Sequence, residues 1–370
     1  MRYYIIAGER SGDLHGGNLI KALRQQDTQA VIRGFGGDRM REEGAELAVH
    51  YEELAFMGFV TLLANYGTIR RMLKFCKEDI LAFKPDVVIL IDYGGFNRRI
   101  AKFAKPRGLR TFYYIPPKVW AWYQSRAKEL KGTIDRIFVI LPFEKEFYKR
   151  YGMEVDYVGN PVLDEVKTLI PDPTFLKRHN LSSEKPIIAL LPGSRKMELK
   201  RIIPVMNQLI VQFPDWQFAV AALSNLEGEL YEPLRSNPRV HWILDDTYHL
   251  LQSSTAAIVT SGTATLETSL FRVPQVCVYK AGWLEMKIAR AVVQVKHISL
   301  VNLIAGKEVI RELIQEDLTN ESLIAELNRL VKDEAYRKKM LLEYDRLHAT
   351  LDIGSASENT ARLMISYLNS

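Results

Sequence analysis

The chain is predicted to be an α/β protein built from two doubly wound domains that face each other across a cleft. Three observations lead there. At 370 residues the chain is longer than a single hydrophobic core usually grows. Short apolar runs alternate with helix-patterned segments, which implies a parallel sheet covered by helices on both faces. The alternation comes in two series, and each opens with a glycine-bearing turn after its first strand.

The first series starts at Tyr3–Ala7 and continues into a helix through Ile20-Lys21-Ala22-Leu23. Val87–Ile91 is the next apolar strand and leads into a helix through Ile100–Ala104. Thr111–Ile115 and Arg136–Leu141 read as further strands, and Glu144–Tyr151 as a helix. After Gly159-Asn160-Pro161, a polar, proline-bearing stretch to Lys185-Pro186 is the expected linker. The second series comprises Ile187–Leu191, Gln217–Ala222, Val240–Leu244, Ala256–Val259 and Gln275–Tyr279. Ala356–Leu368 patterns as a terminal helix. The expected divisions are 1–165, 166–352 and a terminal segment 353–370.

Apolar content of 47% and charged content of 25% describe an ordinary globular chain, not a disordered one. Cys76 and Cys277 lie far apart in apolar stretches, so they read as buried thiols in a reducing cytoplasm. The opening residues are interrupted too soon for a signal-peptide core, and no run reaches the roughly 18 apolar residues of a membrane span. The formal charge of +6 and the cations between Arg98 and Arg136 admit either a solvated face or attraction to phosphate and anionic lipid. Signatures of nucleic-acid binding are lacking.

The most informative segment is Ser261-Gly262-Thr263-Ala264-Thr265-Leu266-Glu267, which follows the apolar run Ala256–Val259. A strand entering a helix there presents free backbone N–H groups and the positive end of the helix dipole, an anion cradle. Glu267, one turn into the helix, can accept hydrogen bonds from ribose hydroxyls. Two more turns of this type follow the first strand of each series: Ala7-Gly8-Glu9-Arg10-Ser11-Gly12-Asp13 and Leu191-Pro192-Gly193-Ser194-Arg195. Arg195 can clamp a phosphate through its fork of donors. Together the turns point to a nucleotide-sugar or dinucleotide ligand. Gly8, Gly12 and Gly16 do not space as the dinucleotide fingerprint of dehydrogenases.

Taken in order, further blocks accompany these turns: Gly34-Phe35-Gly36-Gly37, Phe56-Met57-Gly58-Phe59-Val60, Val119-Trp120-Ala121-Trp122, Leu141-Pro142-Phe143-Glu144, Val158-Gly159-Asn160-Pro161 and Asn302-Leu303-Ile304-Ala305-Gly306. With them the chain resembles the lipid-A-disaccharide synthases, glycosyltransferases of the GT-B type with two Rossmann-like domains. The resemblance implies transfer of 2,3-diacylglucosamine from its UDP derivative to the 6-hydroxyl of 2,3-diacylglucosamine 1-phosphate, with inversion, giving the β-1,6 disaccharide phosphate and UDP. It implies no metal and no cofactor, the diphosphate being held by backbone amides at Ser261–Thr265 and by Ser194 and Arg195. It also places Ser11, Gly12, His15 and Asn97 among the substrate-binding candidates, and implies that the terminal helix returns to the first domain.

The general base is the open position. The family pattern Ile-Asp-x-Pro-Asp-Phe-Asn reads here Ile91-Asp92-Tyr93-Gly94-Gly95-Phe96-Asn97, so glycine replaces the second aspartate. Asp92, Asp13 and Glu9 are the remaining candidates; Asp92 and Asp13 can also serve as helix caps. Pro116, Thr61 and Asn160 are three further departures, where serine, glutamate and histidine are usual.

The partners so implied are a UDP-sugar donor, an acylated glucosamine phosphate acceptor and lipids at the cytoplasmic face of a Gram-negative inner membrane; a homodimer is compatible with all of this. Leu54–Leu63 is markedly apolar and reads as the membrane-touching loop. The helix after Tyr66, with Ile69, Met72, Leu73, Cys76 and Ile80 on one face and Arg70, Arg71, Lys74 and Lys77 beside them, either lies in the interface or buries that face on its own sheet. Trp120 and Trp122 would share one side of an extended segment and either stack on sugar or fill the core. The competing functions are a GT-B transferase with another lipid acceptor, a UDP-N-acetylglucosamine 2-epimerase-like isomerase and a non-catalytic binding protein of the same fold.

Overall fold

The computed structural model describes residues 1–55, 66–121, 124–282, 286 and 295–370. The chain divides into two compact units, Met1–Pro161 with Asp352–Ser370, and Val162–Leu351.

The first unit is built on β1 (Arg2–Ala7), β2 (Val31–Gly36), β3 (Glu46–His50), β4 (Val87–Ile91), β5 (Arg110–Tyr114), β6 (Arg136–Val139) and β7 (Asp156–Tyr157). These form one parallel sheet in the order β3-β2-β1-β4-β5-β6-β7. The central strands β1 and β4 are apolar almost throughout because helices cover both faces; all five residues of β4 are buried. β2 and β3 are not apparent in the sequence pattern. Arg33 interrupts β2, and it is accommodated by a bidentate pair with Asp79, whose other partner is the Tyr4 hydroxyl at 2.7 Å.

The helix Tyr66–Phe83 that supplies Asp79 buries Leu73, Cys76, Ile80 and Phe83, while Arg70, Arg71 and Lys74 are exposed. Of the two readings of this amphipathic helix, packing on its own sheet is the one realised. Most of the preceding loop Leu54–Leu63, together with Thr61, lies outside the described residues. The helix Ala356–Asn369 packs on the helix Arg10–Gln26 and places Ala361 and Met364 in the first core. Arg110 donates to the carbonyls of Tyr367 and Leu368, each at 3.0 Å, holding that helix at its end.

The second unit contains β8 (Ile187–Leu191), β9 (Gln217–Ala222), β10 (Val240–Leu244), β11 (Ala256–Thr260), β12 (Gln275–Tyr279) and β13 (Glu312–Ile314), parallel in the order β10-β9-β8-β11-β12-β13. The stretch expected to be a linker is instead structured. Pro161–Thr168 and Phe175–Arg178 are helical, and Phe175 is buried in the second core. A proline at the start of Pro161–Thr168 begins a helix as readily as it marks a linker, since its missing N–H has no partner there anyway.

In each sheet the chain reverses its direction of growth once, between β1 and β4 in the first and between β8 and β11 in the second. Open parallel sheets bind ligands beyond the carboxyl ends of the strands at such points. The four turns that follow β1, β4, β8 and β11 carry nearly all the candidate residues.

Candidate active site

In the first unit the turn after β4 is strained. Asp92 and Tyr93 are both left-handed, with φ of 45° and 48°, and Ile115 at the end of neighbouring β5 has φ of 57°. Non-glycine residues in that region cost on the order of 1–3 kcal/mol each and persist only where the surroundings impose them. Here the constraints are explicit. Asn97 donates through Nδ2 to the carbonyls of Ile91 at 3.1 Å and Asp92 at 2.8 Å, the Tyr113 hydroxyl donates to the Asp92 carbonyl at 2.7 Å, and the Asp92 amide donates to Ile115 at 3.2 Å. The Tyr93 ring lies against the turn after β1. A Cβ on Gly8 would fall 2.4 Å from that ring, which is why the position is glycine.

The three candidate carboxylates separate. Asp92 is partly buried, and burial pushes its carboxyl above the ordinary aspartate range against the pull of Lys118 and the Tyr93 amide. Asp13 is buried and fully engaged: it accepts from the amides of Gly37 at 2.6 Å, Arg39 at 3.1 Å and Met40 at 3.1 Å. It therefore caps the helix Asp38–Glu42 instead of its own. Glu9 is exposed and occupies the N-cap position of Arg10–Gln26, without a side-chain cap bond.

Asn97 is fully buried, its Nδ2 is turned to strand-end carbonyls, and its Oδ1 is buried without a hydrogen-bond partner among the described residues. Ser11 is exposed, whereas Gly12 packs with a Cβ position 3.3 Å from the Ala7 Cβ. His15 has a buried Nδ1 with no hydrogen-bond partner, and burial lowers its pKa to about 4, so the ring is neutral near pH 7. Gly95, where the family pattern has a carboxylate, is exposed, and a Cβ there would meet nothing within 4 Å.

Trp120 is not on an extended segment but in a turn, and its ring is buried edge-on to Phe143 with centroids 4.9 Å apart. Its indole N–H donates to Glu144 at 3.1 Å, and the Leu141 amide donates to the same carboxyl at 3.0 Å. Trp120 is thus a core residue and not a sugar platform. Trp122 lies outside the described residues. Burial pushes the Glu144 carboxyl up to about 7, with Lys118 opposing, so Lys118 acts on both Asp92 and Glu144. The contacts of Tyr93, Lys118 and Glu144 are not legible in sequence, although Tyr93 lies in the Ile91–Asn97 block, Lys118 among the cations between Arg98 and Arg136, and Glu144 at the end of the Leu141–Glu144 block.

In the second unit Gly193, with φ of 113°, makes the turn after β8. The amide of Ser194 donates to Glu198 at 3.1 Å, and Arg195, largely exposed, pairs with the same carboxylate at 2.9 Å. Glu198 thus holds the turn while leaving the arginine at the surface. After β11, the Ser261 hydroxyl donates to the Ile298 carbonyl at 2.8 Å and the Thr265 hydroxyl to the Gly262 carbonyl at 2.9 Å. Both hydroxyls brace the turn. Thr265 is also fully buried, so its side chain supports the turn. The amides of Gly262, Thr263 and Ala264 open the helix Thr263–Leu270, where no preceding turn supplies carbonyls. A Cβ on Gly262 would meet nothing within 4 Å, so the cradle stands open.

Glu267 lies one turn into this helix, partly buried, and has no hydrogen-bond donor among the described residues. Burial, with a contribution from Glu165, pushes its carboxyl up to about 7. Tyr248, whose ring packs on Phe271 at 5.1 Å, donates its hydroxyl to Glu165 at 3.2 Å.

The family model for lipid-A-disaccharide synthetase matches residues 3–364. The lipid-A-disaccharide synthase of Geobacter sulfurreducens is 36% identical over 373 residues, covering 99% of this chain and 97% of that one. Among solved structures, the glycosyltransferase of kitacinnamycin superposes with a TM-score of 0.67 at 14% identity, covering 99% of each chain. The UDP-GlcNAc 2-epimerase of Neisseria meningitidis, solved with UDP-GlcNAc, does so with a TM-score of 0.65 at 14% identity, covering 100% of each. The structural likenesses establish the shared fold alone. The near-complete family match and the extensive identity to a curated relative show that this chain belongs to the lipid-A-disaccharide synthase family.

Proposed function

We propose that the chain joins UDP-2,3-diacylglucosamine to 2,3-diacylglucosamine 1-phosphate, forming the β-1,6 disaccharide 1-phosphate and releasing UDP. Inverting transfer needs a base on the acceptor hydroxyl and a stabilised diphosphate leaving group, with positive charge developing on the donor sugar between them. In this reading Asp92 takes the proton from the 6-hydroxyl. Its raised proton affinity makes it a stronger base than an exposed aspartate. The amides of Gly262, Thr263 and Ala264 and the guanidinium of Arg195 receive the charge that builds on the diphosphate, with the helix dipole in support. Glu267 accepts the ribose hydroxyls.

The observation that carries the reading is that the candidate turns fall at the switch points of the two sheets, a strained carboxylate turn in one and an open amide cradle in the other. An isomerase would also need the cradle and a base, but no second lipid substrate, so a requirement for the acceptor separates the two readings. The acyl chains of both substrates give a motive for peripheral contact with the cytoplasmic face of a Gram-negative inner membrane through the apolar stretch Leu54–Leu63. Among the described residues no helix is long and apolar enough to cross a membrane.

The test is a discontinuous assay with purified protein and both lipids in detergent plus EDTA, following the disaccharide phosphate by mass spectrometry. Product that requires both lipids supports the proposal. Conversion of the UDP-sugar alone, or UDP binding without disaccharide, refutes it.

A further inference from the structure

The turn after β11 is braced from behind by segment 298–302, at two points. The Ile298 carbonyl accepts from the Ser261 hydroxyl at 2.8 Å, and the Leu300 amide donates to the Thr265 hydroxyl at 3.2 Å. Thr265 donates onward to the Gly262 carbonyl at 2.9 Å. The aim of the amides of Gly262, Thr263 and Ala264 therefore follows where this segment stands. One side chain decides that. Glu312, the first residue of β13, accepts from the Ile298 amide at 3.1 Å, the Ser299 amide at 2.9 Å, the Ser299 hydroxyl at 2.6 Å and Nδ2 of Asn302 at 2.9 Å. Ser299 and Asn302 are fully buried, and the Glu312 side chain is only 9% exposed, with His297 Nδ1 3.9 Å from it. A carboxylate at that depth is tolerated only where hydrogen bonds replace its hydration. All four of these donors lie in the one segment that braces the cradle.

We infer that Glu312 is a positioning residue for the leaving diphosphate, acting through segment 298–302 and the hydroxyls of Ser261 and Thr265 on the cradle amides. The inference rests on the reading of those amides as the diphosphate site. Donors aimed at developing charge contribute most when they are already in place, and hydrogen bonds from the layer behind keep them there. A carboxylate suits that task because it only accepts, with two oxygens for several donors. In Glu312→Gln the amide oxygen can replace Oε1, which takes the Ser299 and Asn302 bonds, but the NH2 then faces the Ile298 amide in place of Oε2, donor against donor. Ile298 is the residue whose carbonyl holds Ser261. The substitution thus loosens the brace at the residue that meets the cradle.

The experiment is isothermal titration calorimetry of UDP into wild type, Glu312→Gln, Ser261→Ala and the double variant, because the fitted stoichiometry counts competent protein while the affinity reports the site. Wild type and Glu312→Gln are expected to bind with the same stoichiometry, the variant about tenfold or more weaker, which is the range of a lost hydrogen bond to a charged group. In turnover its donor KM should rise while its acceptor KM holds. Ser261→Ala cuts the link between Ile298 and the turn, so Glu312→Gln should cost roughly threefold less in that background than in wild type. Lower stoichiometry with unchanged affinity makes Glu312 a stability residue alone and overturns the inference. Costs of the two substitutions that simply multiply overturn it as well. If Glu312→Gln does not fold, Ser261→Ala decides: weaker UDP binding at full stoichiometry supports the relay, and wild-type affinity overturns it. Absence of UDP binding by wild type removes the cradle reading and the inference with it, whereas normal binding by both wild type and Glu312→Gln leaves the cradle standing and removes the inference alone.

Discussion

Replacing Asp92 by asparagine isolates the proposed base from the fold around it. The groups that impose the left-handed turn act on the Asp92 backbone: Asn97 and Tyr113 reach its carbonyl at 2.8 Å and 2.7 Å, and its amide reaches Ile115 at 3.2 Å. Asparagine tolerates the left-handed region as well as aspartate does, so these bonds survive the change. A carboxyl that burial makes reluctant to ionise is also removed, so thermal stability at pH 7 should hold or rise slightly. The rate should not hold. Loss of a positioned general base costs about 10²–10⁴-fold, which corresponds to roughly 3–5 kcal/mol of barrier. The assay is the initial rate of disaccharide phosphate formation under saturating donor, across a pH series. Wild type should gain rate as pH rises through the elevated Asp92 pKa and then level off, and the variant should lose that limb. A folded Asp92→Asn enzyme within about threefold of wild type, with the pH limb intact, would refute the assignment and return attention to Glu9.

Other outcomes follow from contacts already described. Gly95→Asp should fold and gain about 1 kcal/mol, because its Cβ meets nothing and a carboxylate in the first turn of the helix Gly94–Ala104 suits the dipole; Gly94→Ala should lose stability, its Cβ falling 2.6 Å from the Pro117 ring, and the paired melting temperatures check both. Asp13→Asn should cost about 1–3 kcal/mol, since an amide cannot accept from all three of Gly37, Arg39 and Met40, while the kcat of the folded fraction stays near normal. Glu144 holds its proton up to about 7 in the folded state against 4.5 as the ordinary value, so its contribution is greatest at low pH and declines by about 3 kcal/mol as pH rises across that window. Urea midpoints at pH 5 and pH 8 should show this slope, and Glu144→Gln should flatten it.

How far the sequence reveals the molecule depends on whether a feature is local. The strands β1, β4, β8, β9 and β11 are apolar runs that declare themselves, and the turns after them carry small residues that mark close approach. β2 is obscured because Arg33 is neutralised by Asp79, a residue 46 positions away. β13 is only three residues long and borrows its stability from β12. At the site the same division holds. The Gly262–Ala264 cradle is legible because a strand entering a helix creates it without help. The duties of Asp13, Asn97 and Trp120 are not, because their partners at Gly37, Ile91 and Glu144 are defined only once the chain has folded. Glu165 and Tyr248 give no sign of themselves in sequence, since the hydrogen bond between them joins residues 83 positions apart.

The two switch points hold their chemistry in opposite ways. In the second unit, nothing strained is needed to form the proposed amide cradle: Gly193 supplies the positive backbone angle of the turn after β8 at no steric cost, and the hydroxyls of Ser261 and Thr265 brace the turn after β11. In the first, three non-glycine residues, one of them the β-branched Ile115, are held left-handed at adjacent strand ends. A turn needed only to connect β4 to its helix would relax to glycine at such positions, and glycines do follow immediately at Gly94 and Gly95. That Asp92 and Tyr93 are nevertheless retained in the strained conformation, with Asn97 buried against the Ile91 and Asp92 carbonyls, is best explained by a requirement on where their side chains go. Tyr93 closes over Gly8, and Asp92 is left with a carboxyl whose proton affinity burial has raised. A carboxylate at position 95 would stand on the helix in open solvent, so the carboxyl of Asp92 is the one whose environment makes it the stronger base.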